Sequence, residues 1–487
     1  MRCFQTKPMQ PCSRSESATL VLDIGKTNVK LVVVSKMGFI ADILKTENRS
    51  LDKPPYLQLD TEGIWDWLMN SVSSLAREHN IDAIVTSTHG CAAGLVDDKG
   101  LVLPPLDYEA EPPASIAAAF EAVTPPFAQT QTPHLPQGQN LGRQLFWQQR
   151  EFADAFALAR WVLTYPQYWA WRLSGVAASE ITSIGCHSHL WSPRKPGNTG
   201  HGRFSQLVQD MGWEKLFPPI RSAFDELGPI TSNVANCTGL SRRCKVYSGI
   251  HDSNAAYSLY LRGHDRPFSL VSTGTWVMMF SPRKDLSTLD EKRDTMAIAN
   301  LMGESLPTAR FMGGREFELL TEDLDSKAFT DEDLASVIRK QSFLLPSYTE
   351  GGPFPKSKGT GSGPQLKKPG EVVAQATLYL ALVTRTSMAM MESDGDLLID
   401  GGLVNNLWYC RLLATLLGHE RCYMNHETEG TAVGAGMLPE WTNPAISSPL
   451  KLTPVEKCVY PGLNKYVDTW QQMAQACNPD DLPICRT

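Results

Sequence analysis

The hydrophobic pattern opens with "ATLVLDIG", an apolar run that ends at a short polar turn. A second run, "VKLVVVSKMG", is rich in β-branched residues and is ended by Gly38. Runs of this kind, bounded by turn residues, read as strands. Leu20 to Leu44 therefore predicts a meander of three strands, with turns at "DIGKTN" and "SKMG". The period then changes. In "TEGIWDWLMNSVSSLAREH" (Thr61 to His79), Ile64, Trp67, Leu68, Val72 and Leu75 recur at helical spacing on one face. "IDAIVTST" predicts a buried strand, and "AGLVDDKGLVLP" a hairpin turning at Asp98-Lys99-Gly100. This order implies a mixed sheet with helices on its faces.

Leu141 to Ser192 predicts helices and carries Trp147, Trp161, Trp169, Trp171 and Trp191, expected as core and helix-packing residues. "RKPGNTGHG" (Arg194 to Gly202) predicts a loop. At "KVYSGIHDSNAAYSLYL" a strand runs into a helix, and "FSLVSTGTWVMMFSP" repeats the opening logic of strand, Gly/Thr turn, strand. "KPGEVVAQATLYLALVTRTSMAMME" predicts a long helix. "DLLIDGGLVNNLWYCRLLATLLG" predicts strand, glycine turn and helix, and "EGTAVGAGML" a small-residue helix suited to close approach. After Pro444 few elements are expected. A chain of 487 residues is too long for one core. The expected division is a disordered extension (1–17), a first domain (18–244), a second domain (245–444) and a tail (445–487).

"DIGKTN" holds Gly25-Lys26-Thr27, the end of a P-loop pattern. A P-loop needs a second glycine five residues before the Gly-Lys pair, and that position is Leu20. It must also open a helix, and a strand follows here. Two later turns share its character: "STGTW" (Ser272 to Trp276) and "DGGLVNN" (Asp400 to Asn406). Each follows an apolar strand and offers small residues, free N–H groups and hydroxyl or amide side chains, which suit phosphate. One such turn is an ordinary hairpin; three in order say more. In "SGIHDSNA", Asp252 falls where a strand meets a helix. It reads either as a helix N-cap or as a general base at a strand end.

Composition narrows the partners. A net charge of −7 argues against nucleic acid or an anionic membrane. No apolar run reaches the length of a membrane span, and the first 17 residues lack a signal-peptide core. The 11 cysteines are scattered without a CxxC pair, which fits reduced thiols and a cytoplasmic location. For assembly, a homodimer is open beside the monomer.

The set "LDIGKTNVK", "GIHDSNA", "STGTW", "DGGLVNN" and "NLGRQLFWQQREFADAF…LTYPQYWAWRLSG" resembles the FGGY family of carbohydrate kinases, over roughly Thr19 to Pro439. The resemblance implies an α/β fold of two ribonuclease H-like, actin-like ATPase domains flanking a deep cleft, with mixed sheets and helices on both faces. It implies ATP and Mg²⁺ as cofactors and transfer of the γ-phosphoryl group to a sugar hydroxyl. By position, Asp252 resembles the catalytic base that meets the sugar hydroxyl. Asp23, with Asp252, resembles the acid pair that holds Mg²⁺. Gly25, Thr27, Asn28, Gly274 and Thr275 resemble phosphate contacts, and Gly402 and Asn405 the adenosine shelf. His89, Asp107, Tyr108 and Glu109 are the candidate sugar contacts.

Departures from the family pattern also inform the reading. Lys26 and Asn28 stand where many members carry small hydroxyl residues; Lys26 reads either as an added charge near the phosphates or as a solvent-facing turn lysine, the second being the expectation. Gln144 replaces the family's usual lysine. "LVLPPLDYEAEPP" replaces a common substrate-holding pattern. "THGCAAG" stands where glycerol kinases carry Arg-Glu, and the chain most resembles kinases of deoxy-ketohexoses such as L-rhamnulose or L-fuculose. Other ketoses and polyols (xylulose, ribulose, erythritol) are the alternatives. So is an actin-like ATP-binding sugar sensor without transfer activity. A metal site at "CHSH" (Cys186 to His189), with His187 and His189 on one strand face and His201 assisting, is a different class. In "FMGGREFELL", Arg315 reads either as an anion contact or as part of a helix opened by a Gly-Gly turn.

Overall fold

The computed structural model describes residues 16–193, 202–282, 285–322, 324–325, 329–427 and 429–478. The expected N-terminal extension lies outside the described residues except for Glu16 and Ser17, and so does the 194–202 loop except for Gly202. His201 is likewise outside them. No helix among the described residues is long and apolar enough to cross a membrane.

The chain divides into two compact units. The first comprises Met1–Gly263, Ile298–Ser305 and Glu429–Pro449. The second comprises His264–Ala297, Leu306–Thr428 and Leu450–Thr487. The expected boundary at Cys244 thus falls inside the first unit. The reason is strand pairing: Lys245–Tyr247 and Ile250–His251 both run parallel to Asn80–Thr88, deep in the first sheet.

In the first unit, the expected meander is present as the strands Ser17–Ile24, Asn28–Ser35 and Ile40–Glu47. They pair antiparallel, and Asn80–Thr88 adds parallel to Ser17–Ile24. The sheet is buried on both faces, so its strands read as continuous apolar runs. The helix Thr61–Glu78 buries Ile64, Leu68, Val72 and Leu75 against it and is capped by the Asp60 side chain. The small-residue helix Gly430–Gly436 packs on the other side. A side chain at Gly434 would strike the carbonyl oxygen of Ala255 at 1.9 Å, so this helix lies directly against the helix Asp252–Gly263. Trp147, Trp169 and Trp191 are buried as expected, and Trp161 and Trp171 are half-buried.

The second unit repeats the arrangement. Phe268–Thr273 pairs antiparallel with Val277–Phe280 and parallel with Asp396–Gly401. The long helix Pro369–Met390 is buried along most of its length. The tail corrects expectation. Leu452–Pro454 adds an edge strand to this sheet, and the helix Leu463–Ala476 buries Leu463, Tyr466, Val467, Trp470 and Ala474. The Trp470 indole donates to the carbonyl of Leu344 at 2.7 Å, which fixes the helix in place.

Candidate active site

The turn after the first strand is closed by a hydrogen bond from the Gly25 N–H to the Asn28 carbonyl, 2.9 Å. The Asn48 amide donates to the Gly25 carbonyl at 2.7 Å, and the Asn48 N–H to the Thr27 carbonyl at 3.0 Å. A strand follows, so the segment is not a P-loop. Thr27 is exposed, and the Asn28 amide donates to its hydroxyl at 2.9 Å.

Asp23 lies at the end of that strand, opposite Lys30 in the antiparallel ladder. Burial pushes its carboxyl up to about 7, and the negative charge of Asp252 adds to the effect. Lys30 opposes the shift and Glu429 reinforces it. Lys30 and Glu429 pair at 2.6 Å. Neither was singled out in the sequence. Lys30 stands in the quoted first motif, but its partner is far away in the chain.

Asp252 is the first residue of the helix Asp252–Gly263, and its side chain is 31% exposed. Its Oδ1 accepts from the Ser253 N–H at 2.6 Å and the Ser253 hydroxyl at 3.2 Å. An N-cap accepts from a residue two or three positions into the helix. The capping reading of Asp252 is therefore replaced by a local bond to its neighbour. His251 is buried, with Nε2 at 3.4 Å from both the Asp252 Oδ1 and the Cys186 Sγ. Burial holds the imidazole below its ordinary pKa, against the pull of Asp252, so it is neutral. The His251 N–H donates to the Thr182 hydroxyl at 3.1 Å, and that hydroxyl donates to the buried Glu180 at 2.6 Å.

His89 is buried beside two rings, Tyr108 at 5.5 Å and Tyr165 at 5.2 Å between centroids. Its Nδ1 meets the Gly90 carbonyl at 2.8 Å, while the buried Nε2 has no partner. That nitrogen keeps a hydrogen-bonding capacity that no neighbouring side chain uses. Glu109 is exposed and Tyr108 half-buried. Asp107 differs from expectation. It is fully buried, and its oxygens accept from Lys26 (2.6 Å to each), from the Ser50 hydroxyl and from the Glu109 N–H at 2.9 Å. Those contacts use the capacity of a carboxylate, so Asp107 has nothing left for a sugar. Lys26 is correspondingly not a solvent-facing lysine. Gln144 is buried and donates to the carbonyls of Cys91 and Gly138, both at 2.6 Å, so an amide staples backbone where the family carries a lysine.

The "CHSH" segment is not a strand. His187 and His189 both have left-handed backbone, at φ 51° and 59°, so they do not share a strand face. His189 packs on Phe120 and His134, and burial pushes its imidazole down to about 3.

In the second unit, Gly274 and Thr275 are exposed at the tip of their turn, closed by the Gly274 N–H on the Trp276 carbonyl at 2.9 Å. Thr273 ties this turn to the next one: its hydroxyl donates to the Asp400 carbonyl at 2.5 Å and accepts the Leu403 N–H at 2.9 Å. Gly402 and Asn405 are exposed within the short 3₁₀ turn Gly402–Asn405. Asn406 instead caps the following helix through the Tyr409 N–H. Gly314 presses on the first of these turns, since a side chain there would strike the Gly274 carbonyl at 2.0 Å. The Arg315 N–H donates to the Thr275 carbonyl at 3.3 Å, and its guanidinium pairs with Glu318 at 3.3 Å. The Gly-Gly stretch thus opens the helix Gly313–Thr321 against the turn.

The donor set suits magnesium. Asp23 and Asp252 offer hard carboxylate oxygens, and the upward push on Asp23 comes first from burial and then from the charge of Asp252.

Comparison with known proteins places the chain in a family. Residues 18–257 match the FGGY family of carbohydrate kinases, N-terminal domain, and residues 265–447 match the carbohydrate kinase FGGY, C-terminal domain. A carbohydrate kinase from Novosphingobium aromaticivorans is 32% identical and superposes with a TM-score of 0.86, covering 95% of this chain and 99% of that one. A xylulose kinase from Rhodospirillum rubrum shares the fold at a TM-score of 0.75 and 16% identity, covering 95% and 99% of the two chains. The L-fuculokinase of Salmonella typhi is 26% identical over 292 residues, and the match spans 57% of this chain and 59% of that relative. With its two-domain α/β fold and both domain matches, the chain belongs to the FGGY family of carbohydrate kinases.

Proposed function

We propose that the protein is an ATP-dependent kinase of a ketose, a deoxy-ketohexose of the L-fuculose or L-rhamnulose type. The observation that carries this reading is the pair Asp23 and Asp252. One acid is pushed up by burial and by the other, and the other is partly open to solvent at a strand-to-helix junction. The choice of sugar draws on the likeness to L-fuculokinase.

In this reading Asp252 accepts the proton of the attacking hydroxyl through the oxygen not engaged by Ser253. His251, neutral and buried, keeps competing positive charge away from that carboxylate. Asp23, with Asp252, holds Mg²⁺, which when bound neutralises charge on the transferring phosphoryl group. Gly25, Thr27, Asn28, Gly274 and Thr275 are the candidate phosphate contacts. Gly402 and Asn405 form the adenosine shelf. His89, Tyr108 and Glu109 meet the sugar, and the orphaned His89 Nε2 supports this.

The test is ADP release with Mg-ATP over L-fuculose, L-rhamnulose, D-xylulose, D-ribulose, erythritol and glycerol. Stimulation by a deoxy-ketohexose above the others is the expected result. Slow ATP hydrolysis that no sugar accelerates would overturn the kinase reading in favour of a sensor.

A further inference from the structure

We propose that Lys26 is a positioning residue for the sugar: it fastens the loop that carries Tyr108 and Glu109 to the first phosphate turn, through Asp107, and takes no phosphate itself. The inference rests on the kinase reading above and goes beyond its residue roles.

Saturation carries the argument. An ammonium has three donors. In Lys26 two reach the oxygens of Asp107 at 2.6 Å, and the Glu109 carboxylate stands at 3.1 Å. The Ser50 hydroxyl, at 3.5 Å, is next. Nothing remains for a phosphate oxygen unless these contacts break. The side chain is only 23% exposed and its charge lies over the Tyr108 ring at 4.7 Å.

Asp107 is the other half of the fastening. With no exposure, its carboxylate depends on these partners. Burial pushes the group up, but the bonds from Lys26, Ser50 and the Glu109 N–H outweigh it and hold it below the usual range. It therefore stays ionised and paired. The loop is held on its other side by the Gly138 N–H on the Tyr108 carbonyl at 2.9 Å. The Tyr108 ring in turn stands at 84° to the His89 ring, 5.5 Å between centroids. Lys26 thus links the turn that contains Thr27 to the ring that backs the orphaned histidine nitrogen, without touching a ligand.

The physical consequence is a division between substrates. Loosening Lys26 frees Tyr108 and Glu109 but leaves the backbone of the turn closed by Gly25, Asn28 and Asn48. Sugar affinity should fall, and nucleotide affinity should not.

Steady-state kinetics and hydrogen–deuterium exchange on the full chain test this, with Lys26→Met, Lys26→Arg and the double variant Lys26→Met/Asp107→Asn. The double variant removes both charges and so keeps a folded reference if the single one is unstable. Lys26→Met and the double variant should raise KM for the sugar by roughly tenfold or more, with KM for ATP within about twofold. Lys26→Arg, which can still grip a carboxylate, should recover most of the loss. Exchange in residues 105–110 should quicken in Lys26→Met and in the double variant, and not in Lys26→Arg. A raised KM for ATP with an unchanged KM for sugar would assign Lys26 to phosphate and overturn the proposal. Unchanged kinetics and exchange would return it to a bystander lysine. Should the wild type phosphorylate no sugar, the kinase reading falls, and the exchange of residues 105–110 still decides whether Lys26 fastens the loop.

Discussion

Lys30 and Glu429 are 399 positions apart in the chain and 2.6 Å apart in the fold. The pair joins the second strand of the first sheet to the segment that returns to it, just before the helix Gly430–Gly436. It also stands in the field of Asp23 and Asp252. Lys30 is the cation among three acids there.

Lys30→Met should therefore destabilise the protein in a pH-dependent way. Above about pH 7 Asp23 is ionised and would lose the opposing charge of Lys30. At pH 5 Asp23, pushed up to about 7, is already protonated and the loss is milder. The pair is about three-quarters buried on each side, so its removal should cost on the order of 1–2 kcal/mol at pH 8. Thermal unfolding at the two pH values is the measurement. Equal losses at both would mean that Lys30 does not serve the acids.

Asp252→Asn keeps the shape of the side chain and removes its basicity. Loss of a general base typically lowers the rate by about 10²–10⁴. The value of kcat should collapse while Tm does not fall, since the charge of Asp252 opposes that of Asp23. Because Asp252 bonds to Ser253 and does not cap its helix, Asp252→Ala should be hardly less stable than Asp252→Asn. Near wild-type turnover in the Asn variant would move the base elsewhere.

Chelation gives a third expectation. Two carboxylates and a triphosphate repel one another, and phosphoryl transfer needs that charge balanced. EDTA should abolish sugar-dependent ADP release, and added Mg²⁺ should restore it. Full turnover in chelated buffer would argue that Asp23 has another purpose.

Much of this could be read in the chain because the signals are local. A strand announces itself by an apolar run and a turn by Gly, Asn and Thr. Hence the meander, the helix Thr61–Glu78 and all three turns stand where the pattern put them. The rest depended on distance. Nothing near Glu429 says that it meets Lys30, and nothing near Cys244 says that the next two strands still belong to the first sheet. Asp107 reads as a sugar contact in the sequence because its partners, Lys26 and Ser50, lie in other segments. The tail was a different matter. Leu463, Tyr466, Val467, Trp470 and Ala474 do recur at helical spacing, but the prolines before them obscure the period.

The last prediction concerns Glu180, two hydrogen bonds behind the candidate base. It is fully buried, and burial pushes its carboxyl up to about 7 even though Thr182 and Ser183 donate to it. An unfolded glutamate ionises near 4.5. Between these values the folded protein holds a proton that the unfolded chain has lost. Stability must then fall as pH rises through about 4.5 to 7, and the full penalty applies above it. The difference corresponds to something on the order of 3 kcal/mol. Glu180→Gln cannot ionise, so its stability should lack this descent. Measured from pH 4.5 to 8, the wild-type Tm should lose ground to that of the Gln variant, most steeply near pH 6 and levelling off above about 7. Parallel curves for the two proteins would mean that Glu180 is ionised throughout, and that the bonds from Thr182 and Ser183 compensate its burial in full.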